Sequence, residues 1–301
     1  MWLLFAFLGP VAWAISVHID KYLIDRYFPD SDTAVLMLFT ALVGVVALPV
    51  IWAFEPSVLT PSLQSIAVMT VSGVMYIGSM LFYLKAIQSE EASVVAPMFQ
   101  LTTIFSFLLA WAMLGETLTV LAAAGAVLII GGVLFVSLDG DFRPHRVPWK
   151  IIAGMVACTF ILALANVLFK FYAVQDDFWT TTFWTFVGEG LFGAALLLRR
   201  KIRSQFADLI RSHPGALLGV NGANELINLG GGLSVRYATM LAPIALVSAV
   251  SSTTTLFVVG FGTALSVLAP HLSREDISRA GLIRKGVAAV VVTAGVLLAG
   301  R

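Results

Sequence analysis

Ten apolar stretches of about 20 residues each run through this chain, and no connection between them is long enough to hold a domain. They lie at about 2–24, 33–54, 64–87, 91–114, 118–138, 149–172, 178–198, 215–235, 241–268 and 282–300, with no gap longer than 16 residues. A stretch of that length spans the hydrocarbon core of a bilayer when it coils as a helix. The 301 residues are 59% hydrophobic and 12% charged, against about 25% charged in an ordinary soluble domain. A water-soluble core has no room for so much apolar sequence. The fold expected is therefore an all-α integral membrane protein with ten transmembrane helices.

The second five stretches echo the first five. Phe99-Gln100-Leu101-Thr102-Thr103-Ile104-Phe105 aligns with Ser251-Ser252-Thr253-Thr254-Thr255-Leu256-Phe257, and Asp20-Lys21-Tyr22 aligns with Phe169-Lys170-Phe171. Five is odd, so a second copy enters the bilayer inverted relative to the first. Residues 1–145 and 146–301 are read as two inverted five-helix repeats. Inverted repeats place a substrate site between the halves of many secondary transporters.

The family signal lies between Ala86 and Glu116: Ala86, then Glu91-Ala92-Ser93-Val94-Val95-Ala96-Pro97-Met98-Phe99, then Ala110 and Leu114-Gly115-Glu116. This resembles the EamA-type transporters of the drug/metabolite transporter superfamily. Ala12-Trp13-Ala14 in the first segment fits the same pattern. The second copy departs from it, carrying Ala249 and Val267-Leu268 where Pro97 and Gly115-Glu116 would recur. The resemblance implies a ten-helix permease for small metabolites or drugs, and it does not choose among amines, amino acids, nucleotide sugars and sugar phosphates.

Charge sets an orientation. Fifteen of the 18 Lys and Arg lie in or beside the odd-numbered connections, the densest group being Arg199, Arg200, Lys201, Arg203 and Arg211. Positive loops stay cytoplasmic, which puts both termini on the non-cytoplasmic side of an inner (plasma) membrane of the bacterial type. The resembled family more often shows the opposite bias. A net charge of +1 argues against a nucleic-acid partner. Cys158 alone makes neither an intrachain disulfide nor a zinc cluster. Ala12-Trp13-Ala14 imitates a signal-peptide cleavage site, but no basic region precedes it. The partners expected are the lipid bilayer and a small-molecule substrate, with the chain a monomer or homodimer. No cofactor or metal is expected, beyond a coupling proton.

Depth is the filter for chemistry, because a charge at the bilayer centre costs about 2.5–3.5 kcal/mol on insertion scales. Glu189 is the twelfth residue of 21 in segment 7, between Gly188 and Gly190, and Glu225 is the eleventh of 21 in segment 8. The flanking glycines let a ligand or another helix approach Glu189. Asn221, Asn224, Glu225 and Asn228 fall at i, i+3, i+4 and i+7, on one helical face. They read as a cavity wall, or as interhelical hydrogen-bonding glue. Gln100 lies near mid-depth and its amide needs a partner. The run Ser248 to Thr255 either lines a cavity or bonds its own backbone. Glu189, Glu225, Asn221, Asn224, Asn228 and Gln100 are the candidate substrate-binding residues. The repeat offset puts Thr40 and Gly73 opposite Glu189 and Glu225.

Lys21 and Lys170 end the first helix of each copy, where long basic side chains snorkel. Their other reading is a symmetric pair of gate or counter-ion residues, with Asn166 within reach of Lys170. Trp13, Tyr76 and Tyr83 could stack on a cation, or simply pack. Glu116 reads as a structural loop residue.

Three functions compete. A secondary transporter would bind a cationic or zwitterionic amine against Glu189 and Glu225. Burial disfavours the charged form of a carboxylate, so either could also exchange a proton. The second reading moves an anionic sugar phosphate on Lys21, Lys85, Lys170 and Arg236. The third, an intramembrane enzyme, lacks a nucleophile motif and rests only on the acidic pairs Asp30-Ser31-Asp32 and Asp139-Gly140-Asp141.

Overall fold

The computed structural model describes residues 1–27, 34–89, 98–99, 101–137, 148–268 and 279–299. Gln100, Glu90, Glu91, Pro97 and both acidic pairs (Asp30 to Asp32, Asp139 to Asp141) lie outside them, as does the side chain of Lys21. The described residues form helices and short turns, with no strand among them.

In the first half the helices are α1 (Trp2–Tyr27), α2 (Ala34–Phe54), α3 (Leu63–Ser89), α4 (Leu101–Leu114) and α5 (Val120–Ser137). The second half holds α6 (Trp149–Gln175), α7 (Phe178–Leu197), α8 (Arg200–Ser212), α9 (Gly222–Leu241), α10 (Ile244–Ser251), α11 (Thr254–Leu268) and α12 (Arg279–Ala299). Five helices are long and apolar enough to cross a membrane, or six when the bent pair α7–α8 is taken as one span. α4 and the apolar parts of α5 and α12 are shorter. Leu4, Val46, Trp52, Phe54, Trp111 and Val127 are exposed on the outer surface. An apolar exterior of that extent needs lipid rather than water against it.

Local chemistry sets the helix ends. The Asp177 carboxylate accepts the N–H groups of Trp179 and Thr180, at 2.9 and 2.8 Å, and caps the start of α7. At the end of α4 the chain turns through Gly115, with φ of 67°. That left-handed conformation is cheap only for glycine. The Glu116 N–H then bonds back to the Ala110 carbonyl at 3.2 Å, which aims the Glu116 side chain inward.

Three features differ from expectation. The segment read as 215–235 runs on to Leu241: a π-helical turn over Gly215–Asn221 leads into α9. Arg236 therefore lies inside a helix, not at its end. The ninth segment is broken at Ser252–Thr253 into α10 and α11. The basic connection after α7 is itself a helix, α8, bent 100° from α7. Its Ile202, Phe206, Leu209 and Ile210 fall on one face at helical spacing and pack against the cluster holding Leu23 and Leu38.

Packing follows a paired scheme. α1 lies against α9, α3 against α6, α2 against α7 and α5 against α12. The closest crossing joins α3 to α7. A Cβ on Gly188 would sit 2.0 Å from the Thr70 carbonyl oxygen, and one on Gly73 would sit 2.0 Å from that of Thr185. The glycine beside Glu189 thus admits another helix backbone, and this contact fixes α7 with Glu189 turned toward Gly44 of α2, whose Cβ position is 3.6 Å from Glu189 Oε2.

Candidate functional site

The polar face of α9 and the polar face of α1 meet across a cavity of about 330 Å³. Asn221, Glu225, Asn228 and Arg236 line it from the π turn and α9, Glu189 from α7, and Asp20 from α1. Its charged lining among the described residues is thus three carboxylates and one guanidinium. Four of the six residues the sequence nominated for binding line this cavity. Asn224 stands behind its wall and Gln100 lies outside the described residues.

The carboxylates are held differently. Glu189 is buried and paired: Arg236 Nη2 donates to its Oε1 at 3.0 Å, with side-chain exposures of only 11% and 5%. The guanidinium also lies over the rings of Tyr76, Phe169 and Phe186, at 4.9, 5.1 and 5.5 Å from their centroids. Glu225 pairs with no cation among the described residues; its Oε1 accepts a hydrogen bond from Thr40 Oγ1 at 3.2 Å, and its carboxyl group also bonds the Asn228 side chain. Asp20 accepts from Asn224 Nδ2 at 2.6 Å and from Ser16 Oγ at 3.4 Å.

Asp20 is a site residue that the sequence reading does not nominate, since it lies beside Lys21 near the end of the first segment. A signal existed. Trp13, Ser16 and Asp20 fall at i, i+3 and i+7 and make one polar face, as Asn221, Asn224 and Asn228 do on their own segment. That Asn224 would meet Asp20, 204 positions away, was not readable.

A second cavity, of about 420 Å³, adjoins the first and shares Trp13, Tyr76, Met80, Tyr83, Gly232 and Arg236 with it. Its remaining wall carries no carboxylate among the described residues. Phe99, Thr102 and Thr103 contribute on one side, and Ser251, Ser252, Thr254 and Thr255 on the other. These are the two stretches that echo each other at the offset of 152. Ser252, Thr253 and Thr254 return their hydroxyls to backbone carbonyls of their own segment, while Thr102 Oγ1 and Ser251 Oγ are buried without a hydrogen-bond partner.

Lys170 is engaged away from both charged positions. Its amino group lies 2.5 Å from Glu116 Oε1 and donates to the Ala242 carbonyl at 2.8 Å. The other Glu116 oxygen accepts the Ile244 N–H at 2.9 Å. Asn166 lines the second cavity instead. His18 bonds the Val258 carbonyl through Nε2 at 3.1 Å, tying α1 to α11.

Two polar helical faces, a buried ion pair and a broken helix surround the two adjoining cavities. Residues 1–138 match the EamA-like transporter family. The resemblance carried by Ala86 to Glu116 is thereby shown, and an EamA-like membrane transporter is what this family predicts of the chain. One solved crystal structure is similar over 99% of this chain and 96% of its own, with a TM-score of 0.68 and 14% identity. At that identity the likeness is one of fold. No curated protein matches the chain. The matched region supplies α1 to α5, so Asp20, Thr40, Tyr76 and Glu116 fall inside it, whereas Glu189, Glu225 and Arg236 lie beyond it.

Proposed function

We propose that the chain is a secondary transporter that carries a small amine by alternating access. The observation that bears most weight is the charge count of the first cavity. Asp20, Glu189 and Glu225 line it, and its one cation among the described residues, Arg236, is paired to Glu189. The surplus of carboxylate favours a cationic ligand. Trp13, Tyr76 and Tyr83 in the wall common to both cavities add rings that attract a cation. The anionic sugar-phosphate reading loses ground on the same contacts, because Lys170 and Arg236 each face a glutamate.

The frame is read as two inverted five-helix repeats, 1–145 and 146–301. The pairing of α1 with α9 and of α3 with α6 supports this reading, since each joins the first helix of one repeat to the third of the other. The four remaining spans would be α4, α5, α9 and α12. Rocking of the halves around the site would expose it to each side in turn. The basic helix α8 would lie on the cytoplasmic face, leaving both termini on the other. A proton leaving Glu225 or Asp20 as the amine binds would couple transport to the proton gradient.

The test is flux in proteoliposomes, using radiolabelled amines with and without an imposed pH gradient. Amine flux that Glu225→Gln abolishes and the gradient accelerates is the expected result. Flux of sugar phosphates but not amines would overturn the proposal.

A further inference from the structure

Resting on that reading, we infer that Asp20 and Glu225, and not Glu189, form the ammonium-binding end of the site, and that its ligand is an amine with an apolar body and no carboxylate. The starting point is what each acid still has to offer. Glu189 is nearly fully enclosed and committed to Arg236, which three aromatic rings hold in place. Among the described residues Asp20 and Glu225 receive neutral donors: Asn224 and Ser16 on one, Thr40 and Asn228 on the other. An ionised carboxylate accepts up to about four hydrogen bonds, so both keep acceptor capacity toward the cavity they line.

Two buried amides beside them point to a missing ligand. Asn224 is fully buried; its nitrogen goes to Asp20, and its Oδ1 has no hydrogen-bond partner. Asn221 is 1% exposed and lines the same cavity, with Nδ2 unpartnered. Buried polar groups left unpaired are rare and costly. An ammonium supplies donors for Asp20 and Glu225, and a neutral acceptor near it would take the Asn221 N–H.

Charge and space limit the rest of the ligand. An α-amino acid would bring a carboxylate into a cavity whose one cation among the described residues, Arg236, is already paired to Glu189. That carboxylate would stand as a third anion beside Asp20 and Glu225. An apolar body has space: past Trp13 and Tyr83 the acidic cavity adjoins the second, whose wall is aromatic, aliphatic and hydroxyl-bearing. Arg236 and Glu189 mark the boundary between the two compartments.

The experiment is calorimetric titration of the full chain in detergent with four probes: 2-phenylethylamine, its neutral N-acetyl derivative, ethylamine and L-phenylalanine. 2-Phenylethylamine should bind best. Losing the charge, losing the ring, or adding the carboxylate should each weaken binding by about tenfold or more. Asp20→Asn and Glu225→Gln should each cost at least about tenfold for 2-phenylethylamine, with Asp20→Glu recovering most of it. Glu189→Gln should cost less than about threefold, provided its unfolding midpoint shows that it is folded; Asn221→Ala, which removes no charge, serves as a second, milder probe with a smaller loss. Equal affinity for L-phenylalanine and 2-phenylethylamine, or a larger loss from Glu189→Gln than from Asp20→Asn, overturns this assignment while leaving amine transport standing. Failure of every amine to bind, with no flux in proteoliposomes, overturns the transport reading itself.

Discussion

Two buried ion pairs among the described residues do different work. Lys170–Glu116 and Arg236–Glu189 each join a cation in the second half to a glutamate, and all four side chains are mostly enclosed. The first pair is closed on the backbone. Lys170 also serves the Ala242 carbonyl, and Glu116 also serves the Ile244 N–H, so both residues secure the Ala242-Pro243 corner between α9 and α10. The second pair is closed on side chains. Arg236 is stacked among Tyr76, Phe169 and Phe186, and both partners face a cavity. The same charge chemistry therefore makes a fixed joint in one place and a cavity wall in the other. What distinguishes them is whether main-chain groups depend on the pair.

The largest effect should come from cutting the joint. Glu116→Ala leaves the Lys170 ammonium without its anion and the Ile244 N–H without its acceptor. Breaking one side of a buried pair costs about 3–5 kcal/mol. Denaturant unfolding in detergent micelles should show a loss in that range. A loss under about 1 kcal/mol, the value of a surface pair, would remove the distinction between the two pairs.

A double-substitution comparison sharpens it. Glu189→Gln and Arg236→Met should each destabilise, and the double variant should recover about 1–3 kcal/mol of their summed cost, the coupling expected of residues in contact. Removing both charges there leaves no main-chain group orphaned. The pair Glu116→Gln with Lys170→Met should recover less, because Ala242 and Ile244 still lose their partners. Equal recovery at both sites would make the backbone contacts irrelevant.

Much of this arrangement was legible, and the limit is physical. Helix positions follow from apolar length, and the cavity-lining face of the π turn and α9 follows from the spacing of Asn221, Glu225 and Asn228. Gly188 could be read as a point of close approach, though the sequence did not say whether a ligand or a helix would come; the Thr70 backbone of α3 does. Arg236 was read as a helix-end cation because hydropathy falls near residue 235, yet a charge neutralised by Glu189 and covered by rings lets α9 continue to Leu241. Pairings such as Asp20 with Asn224, or Lys170 with Glu116, join residues far apart in the chain. No local pattern encodes them, because periodicity gives the face of a helix and not the helix that faces it.

The smallest effect tests the difference between the cations. Arg236→Lys keeps the charge but gives up a planar fork for a point charge. It should lose the stacking on Tyr76, Phe169 and Phe186, a cost of about 0.5–2 kcal/mol in unfolding measurements. Among the described residues no ring lies over Lys170, which holds two oxygens from one ammonium, a task suited to a compact rotatable donor. Lys170→Arg should therefore also destabilise, but through crowding at Glu116 and Ala242 rather than lost stacking. The two causes separate in the near-ultraviolet circular dichroism of Tyr76, which Arg236→Lys should perturb and Lys170→Arg should not. If Arg236→Lys is silent in both stability and spectrum, the rings are packing neighbours only, and the pair in the cavity wall is held by charge alone.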